Sequence, residues 1–183
     1  MNKQSFWLLL PTTLLPYMAL CSLATIFYSA EVPLFKFIME YVFQSNGLYL
    51  IASLLLFCLL AAVSSGICFF LSIHKGWDAF SLAKSAVLVK LLQVPAYGLI
   101  FVLGVLFSFT IFTFAFAVGL FLFSCLTLVL TGLLTTSAVI NADRQRHFTF
   151  RESFWVVILQ LVFCADVIAT IAFYLMLKKR ITN

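Results

Sequence analysis

Residues 93–142, QVPAYGLIFVLGVLFSFTIFTFAFAVGLFLFSCLTLVLTGLLTTSAVINA, contain no charged side chain. A soluble domain cannot bury so long an apolar sequence, whereas a helix that crosses a bilayer needs about 20 apolar residues. The length of this segment fits two crossings joined by a very short turn. The segment therefore predicts an integral membrane protein.

The composition of the whole chain agrees with this prediction. Of 183 residues, 64% are hydrophobic and 9% are charged, whereas soluble proteins carry about 25% charged residues. The length allows one bundle of four to six crossings and leaves no room for a soluble domain. The net charge of +5 is typical of cytoplasmic loops in multi-pass proteins, so we expect no nucleic acid partner.

Five apolar runs predict an all-α, polytopic transmembrane helical bundle that forms a single domain over residues 1–183. The predicted spans are residues 6–29, 48–73, 94–111, 116–140 and 153–177. Residues 31–46 are too short and too charged to cross, and their interleaved aromatic and charged side chains predict an interfacial amphipathic helix. Residues 107–116 alternate apolar with small or polar residues. We interpret them as the turn between two spans, because an open strand edge cannot lie in hydrocarbon.

Small side chains at a spacing of four residues allow two helix backbones to approach closely in lipid. The second span contains two such pairs, and the fourth span contains several small residues. The predicted packing positions are Ala61, Ala62, Ser65, Gly66, Gly119 and Gly132.

The distribution of basic residues predicts the orientation of the chain. Loops 74–93 and 141–152 are both basic and are separated by two spans, so they lie on one side, which should be the cytoplasmic side of the cell membrane. Five spans then place the cluster 178–180, Lys-Lys-Arg, outside, against the rule. Alternatively one run re-enters without crossing, and the first run, which contains two prolines, is the candidate. We favour five spans.

Asp166 is the strongest candidate for a functional residue, because it lies near the middle of the fifth predicted span. A carboxylate at the centre of a bilayer costs about 2.5–3.5 kcal/mol on insertion scales and usually faces the bundle interior. Thr170 and Glu152 lie within about 40° of Asp166 on a continuous helix. This face predicts a proton or cation binding site. Alternatively Asp166 is protonated or hydrogen-bonded to a neighbouring helix and has a purely structural role.

The charge of Asp166 has no evident partner within the sequence. Lys90 is the nearest basic residue, and its long side chain is expected to reach the cytoplasmic surface. We therefore expect a different subunit or a ligand to compensate the charge of Asp166. Gln160 lies about 120° from Asp166 on a continuous helix, so it is excluded from that face. Gln93 is expected at an interface, where a polar side chain is ordinary.

No pattern in the sequence predicts catalysis. Carboxylate pairs, Ser/His/Asp constellations and glycine-rich phosphate loops are not found, so we expect no enzyme, no catalytic residue and no cofactor. The cysteines form no CxxC pair and lie within predicted spans, which favours buried thiols over a disulfide framework or a metal site. They are Cys21, Cys58, Cys68, Cys125 and Cys164.

The segment 90–98, KLLQVPAYG, which leads into Gly104, resembles a segment of uncharacterised small multi-pass membrane proteins of Gram-positive bacteria. The resemblance covers about 15 residues. It implies a multi-pass fold, and it implies no activity and no functional residues.

The leading functional hypothesis is a non-catalytic transmembrane subunit of a larger transporter or export assembly. Its expected partners are the lipid bilayer and other membrane subunits or further copies of the chain. One alternative is an immunity or regulatory protein that acts against a membrane-active peptide or toxin. Another is a membrane-embedded component of a transporter that binds a small ligand.

Overall fold

The computed structural model describes residues 3–163 and 165–182, and within them all regular structure is helical. The all-α prediction is confirmed for this part of the chain. The helices are α1 (Lys3–Tyr28), α2 (Pro33–Phe37, followed by a π-helical turn, Ile38–Val42), α3 (Gly47–His74), α4 (Ala79–Ser108), α5 (Phe114–Arg144), α6 (Phe150–Leu159) and α7 (Ala165–Thr182).

Four of these helices are long and apolar enough to cross a membrane: Trp7–Tyr28 within α1, and all of α3, α4 and α5. At about 1.5 Å per residue, the 28 residues of α3 extend about 42 Å, which exceeds the roughly 30 Å hydrocarbon core. The outer surface is apolar, as shown by Leu56 and Phe70, which are 68% and 73% exposed, whereas Ser65 and Ser72 are buried. This inverted distribution suits a lipid environment.

The start of α4 differs from the predicted span. The side chain of Asp78 accepts a hydrogen bond from the backbone N–H of Ser81 at 2.9 Å, which caps a helix that begins at Ala79. Helix α4 continues through Pro95, so the basic segment 74–93, whose apolar residues recur at broadly helical spacing, is mostly helical and continuous with the third predicted span. The predicted turn between the third and fourth spans is confirmed, since α4 ends at Ser108 and α5 begins at Phe114.

The first apolar run forms an unbroken helix despite Pro11 and Pro16. A proline lacks an N–H, so it leaves the carbonyl four residues earlier without its helical donor. For Pro16 this carbonyl belongs to Thr12, and it accepts a hydrogen bond from Gln93 Nε2 at 2.7 Å. Because a neighbouring helix supplies the missing donor, α1 keeps the length of a spanning helix. The first apolar run is therefore one continuous helix that is long enough to cross a membrane.

The last apolar run, predicted as one helix over residues 153–177, is broken into α6 and α7. The two helices are antiparallel: Arg180 Nη2 near the end of α7 lies 2.6 Å from Glu152 Oε1 at the start of α6. The rings of Phe148 and Phe173 also approach to 5.1 Å. The prediction of a single helix is wrong, because the chain reverses direction at residues 160–163.

The helical hairpin formed by α6 and α7 is short. The ten residues of α6 extend about 15 Å, which is half of the roughly 30 Å hydrocarbon core. Helix α6 packs against α5, and α7 packs against α4. Helix α6 is therefore too short to cross a membrane by itself, whereas the 18 residues of α7 extend about 27 Å.

Only some of the predicted small packing positions form helix contacts. Ala61 and Ser65 are buried against α1, where Thr12 Oγ1 lies 2.6 Å from Ser65 Oγ. Ala62 is half-buried and packs against the cluster of Leu15, Ala61 and Leu130. Gly66 is also half-buried, but a Cβ added there would meet nothing within 4 Å.

The two glycines of α5 also differ. Gly132 is buried, and a Cβ at this position would lie 3.6 Å from Gln160 Cβ. Gly119 is exposed, with open space where its Cβ would be. Gly132 therefore packs closely against Gln160 at the end of α6, whereas Gly119 contacts no other helix among the described residues.

Residues 31–46 contain the short helix α2 and the π-helical turn, with no buried side chain in either. The rings of Phe37 and Tyr41 stack at 4.8 Å. Helical structure is present in this segment, while its position at a membrane interface stays a prediction.

The apolar core is concentrated at the end of the bundle where the hairpin has its open end. Its buried residues include Leu82, Ala86, Leu134, Ala138, Phe173 and Leu177. A smaller cluster of Leu15, Ala61 and Leu130 lies on α1, α3 and α5. The polar residues described next lie within this frame.

Candidate functional site

A buried ion pair joins α4 to the hairpin. Lys90 Nζ lies 2.9 Å from Asp166 Oδ2, and the two side chains are 1% and 4% exposed. Either ion alone would be costly in such surroundings, whereas the pair compensates both charges. The expectation that another subunit or a ligand must neutralise Asp166 is therefore wrong.

Acceptors surround the ammonium group of Lys90. Besides Asp166 Oδ2, it donates to Gln160 Oε1 and to the backbone carbonyl of Asp166 at 3.4 Å. An ammonium group has three N–H donors, so these acceptors match its capacity. Lys90 is consequently held inside the bundle, and the prediction that it reaches the cytoplasmic surface is wrong.

The break between α6 and α7 explains why Gln160 joins the site. On one continuous helix Gln160 would point away from Asp166, but the reversal of the chain returns it to the same cluster. Gln160 Nε2 lies 3.1 Å from Thr170 Oγ1, which in turn donates to the carbonyl of Asp166 at 2.7 Å. The exclusion of Gln160 from the Asp166 face is wrong, whereas the placement of Thr170 beside Asp166 agrees with the structure.

Glu152, the third residue of the predicted face, lies elsewhere. It is at the open end of the hairpin, where both of its carboxylate oxygens accept hydrogen bonds from Arg180. The guanidinium of Arg180 also lies 4.4 Å from the centre of the Phe148 ring. Hydrogen bonds from Arg180 and Thr149 lower the pKa of Glu152 to about 2. Glu152 therefore fastens the ends of the hairpin and does not belong to the buried site.

The Glu152–Arg180 pair makes the stability of the hairpin dependent on acid. Because the pKa of Glu152 is lowered in the folded protein, its contribution is complete above the ordinary value of 4.5 and is lost as the pH falls towards about 2. The pair is 39% exposed, so we expect a loss on the order of 1 kcal/mol or less. The stability of Glu152→Gln in detergent should be lower than that of the wild type at pH 7, and the difference should shrink as the pH falls towards 2. Equal stability at both pH values would contradict this role.

A second group of buried polar residues extends from the ion pair along α4. Gln93 is fully buried, donates to the carbonyl of Thr12 and lies 3.5 Å from the hydroxyl of Tyr97. The expectation that Gln93 lies at an interface is wrong. Its buried amide instead links α4 to α1.

These residues share one stripe of α4. Lys90, Gln93 and Tyr97 are spaced by three and four residues, which places them on the same helix face. Sequence reasoning missed Lys90, Gln93 and Tyr97 as site residues, although this spacing was visible in the sequence. Gln160 could not be found in this way, because its position depends on the chain reversal.

The stripe continues into a half-open groove with a volume of about 660 Å³ between α4 and α5. Its lining is predominantly apolar and includes Ile100, Gly104, Ser124, Leu128, Leu161 and Phe163. Phe163 also contacts Tyr97, with ring centres 5.7 Å apart in an edge-to-face arrangement. The groove is therefore separated from the buried polar residues by an aromatic pair.

The described residues include no cluster of three or more His, Cys, Asp or Glu side chains that could hold a metal ion. Among the cysteines, Cys68 is buried and Cys58 half-buried, whereas Cys21 and Cys125 are exposed. The prediction of buried thiols is therefore wrong for Cys21 and Cys125, and Cys164 lies outside the described residues. No protein family, curated protein or solved structure matches the chain.

Proposed function

We propose that this protein is a proton-coupled membrane transport component, with the Lys90–Asp166 pair as its proton-binding site. The observation that supports the proposal is a buried ion pair beside the chain reversal between α6 and α7. Charged side chains within membrane helices are rare, and they commonly mark ion pathways and proton relays.

The break itself also favours a transport role. Irregular backbone at membrane depth is tolerated only where it is buried in protein or lines a cavity, because lipid cannot satisfy free N–H and C=O groups. Many transporters place their substrate sites at such broken helices, with a helix N-terminus directed at an anionic group. Here Asp166 lies in the first turn of α7. The positive end of the α7 dipole is therefore directed at the site.

The chemistry of the pair provides a two-state switch. With Asp166 ionised, Lys90 and Asp166 are neutral together and the hairpin is held against α4. A proton on Asp166 removes the charge that holds Lys90, and the ammonium group then requires another anion. Binding of a proton is thereby coupled to binding of an anion and to release of the hairpin.

We infer that the protein lies in the plasma membrane with four spans and one re-entrant hairpin. Both termini are then cytoplasmic. An even number of spans places residues 75–78, the connection 145–149 and Lys178, Lys179 and Arg180 on one side. Each of the three segments contains Lys or Arg, so all three then obey the positive-inside rule, which five spans would violate at the last one.

The pairing of Asp166 with Lys90 of the same chain affects the choice among the functional hypotheses. A charge that needed a partner chain was one reason to expect a subunit of a larger assembly, and Lys90 removes that reason. A component that carries its own binding site is therefore the better hypothesis, whether or not further subunits or copies join it. No feature of the described residues supports the immunity or regulatory alternative, and we propose no enzymatic activity.

Proton flux into proteoliposomes tests the proposal. The purified full chain is reconstituted with an internal pH-sensitive dye, and an acid pulse is applied outside with the potential clamped, in a chloride buffer that supplies an anion to accompany the proton at Lys90. We expect the wild type to acidify the lumen at least tenfold faster than Asp166→Asn. The matched control is Asp143→Asn, which changes an exposed carboxylate and should behave as the wild type. Wild-type flux equal to that of empty liposomes, or full activity of Asp166→Asn, would contradict the proposal.

A further inference from the structure

We propose that the transported substrate is a single-chain amphiphile with an anionic headgroup, whose chain lies in the groove between α4 and α5 and whose headgroup binds Lys90. This inference rests on the proposed function and assigns a substrate class to the same site.

The groove suits a hydrocarbon chain. Its α5 wall runs from Phe114 to Val129, a length of about 22 Å at about 1.5 Å per residue. On α4 the lining positions Ile100, Gly104 and Ser108 recur every four residues, and the missing side chain of Gly104 leaves the slot open. The lining is apolar with few polar atoms, as in sites for small apolar ligands. The shape and the lining therefore favour an extended alkyl chain.

The groove opens sideways, towards the position of lipid. Phe101 on α4 and Phe121 on α5 belong to its lining and are 63% and 67% exposed. A ligand that enters here comes from the hydrocarbon and not from water. This route excludes sugars and inorganic ions as ligands of the groove, and it favours a molecule that partitions into membranes.

The groove and the ion pair lie in line. Lys90, Tyr97, Ile100 and Gly104 follow one stripe of α4, at spacings of seven, three and four residues. The rings of Tyr97 and Phe163, whose centres are 5.7 Å apart, lie between the groove and the Lys90–Asp166 ion pair. Phe163 belongs to the turn of the hairpin, so release of the hairpin moves this ring and joins the two spaces. The polar end of an amphiphile would then meet Lys90.

The charge of the site selects an anionic headgroup. Lys90 and the N-terminus of α7 are both positive, and the hydroxyl of Tyr97 can donate a hydrogen bond. If an anion bound while Asp166 was still ionised, the site would contain two negative charges and only one positive charge. When Asp166 takes up a proton, Lys90 and the anion form the new neutral pair. One proton and one anion therefore enter together, and no net charge is buried.

The test uses hexadecanoate with a diazirine near the end of its chain, added to the purified full chain in nanodiscs. After illumination, peptide mass mapping should place the label on α4 and α5 within the groove. Unlabelled hexadecanoate should compete at least tenfold better than hexadecanol or hexadecylamine. Gly104→Phe fills the groove and should reduce labelling at least tenfold. Gly98→Phe changes an exposed glycine of the same helix with equal open space and should leave labelling unchanged.

The outcomes separate this inference from the proposed function. Equal labelling of Gly104→Phe and Gly98→Phe would overturn the groove as the binding site. Equal or better competition by hexadecylamine would overturn the anionic headgroup. If Asp166→Asn abolishes proton flux while either of these results is found, the proton-coupled function stands and the substrate class is wrong. If labelling follows the inference but Asp166→Asn conducts protons normally, the groove binds an amphiphile and proton coupling is wrong.

Discussion

Replacement of either member of the buried ion pair is expected to destabilise the protein by about 3–5 kcal/mol, because the remaining charge is left unpaired in a low-dielectric interior. The single variants are Lys90→Met and Asp166→Asn. The double variant contains no buried charge, and we expect it to recover most of the lost free energy of unfolding. Unfolding by sodium dodecyl sulfate in mixed micelles, followed by tryptophan fluorescence, gives the coupling energy of the pair.

Lys84→Met is the matched control for this cycle, since Lys84 lies on the same helix and is exposed. Its effect should be within about 0.5 kcal/mol. If the two single variants are additive in the double variant, the pair does not form in the membrane. The folded double variant also separates structure from function: it should be stable and yet conduct no protons.

Gly132→Leu is expected to have the next largest effect. The Cβ of residue 132 would lie 3.6 Å from Gln160 Cβ, so alanine makes an ordinary contact while the rest of a leucine side chain overlaps the hairpin. Overpacking of this kind costs about 1–3 kcal/mol. Displacement of Gln160 also removes one acceptor from Lys90. Both the free energy of unfolding and the rate of proton flux should therefore fall.

Two control variants accompany this substitution. Gly132→Ala should be tolerated, and Gly119→Leu should have little effect because Gly119 faces open space on the exposed surface. The same unfolding and flux assays apply to all three proteins. Full stability and full flux of Gly132→Leu would show that the hairpin does not pack against α5 as described.

The sequence was sufficient to predict the class of protein and most of its long helices. Apolar length is a local property, and residues 93–142 showed it without any knowledge of tertiary structure. The turn between α4 and α5 was also predictable, because an open strand edge cannot satisfy its backbone hydrogen bonds in hydrocarbon. What these predictions share is that each depends on a single segment of the chain.

The reversal between α6 and α7 was not predictable in this way. Helix breaks are usually marked by proline or glycine, and residues 160–163, Gln-Leu-Val-Phe, contain neither. The reversal is stabilised instead by tertiary contacts, in which Lys90 of a distant helix binds Gln160 and Asp166. The predicted orientation of Gln160 and Glu152 relative to Asp166 is wrong, because it requires a continuous helix.

The depth of Lys90 was the second unpredictable feature. A lysine near the end of an apolar run can extend to the surface or turn inward, and its own neighbours in sequence do not decide between the two. Only the position of Asp166, 76 residues later in the chain, makes the inward conformation favourable. The two ions are therefore visible separately in local sequence, whereas their pairing depends on the tertiary structure.

The late position of Asp166 has a consequence for biosynthesis. Lys90 leaves the ribosome long before its counter-ion, so the nascent bundle of α1, α3, α4 and α5 carries a lone ammonium group until the last segment is translated. The hairpin of α6 and α7 is therefore the last part of the fold to pack, and it packs against helices that have already been translated. In a chain terminated before residue 166, Lys90 would have no counter-ion. We expect cellular quality control to recognise such a chain as incompletely folded.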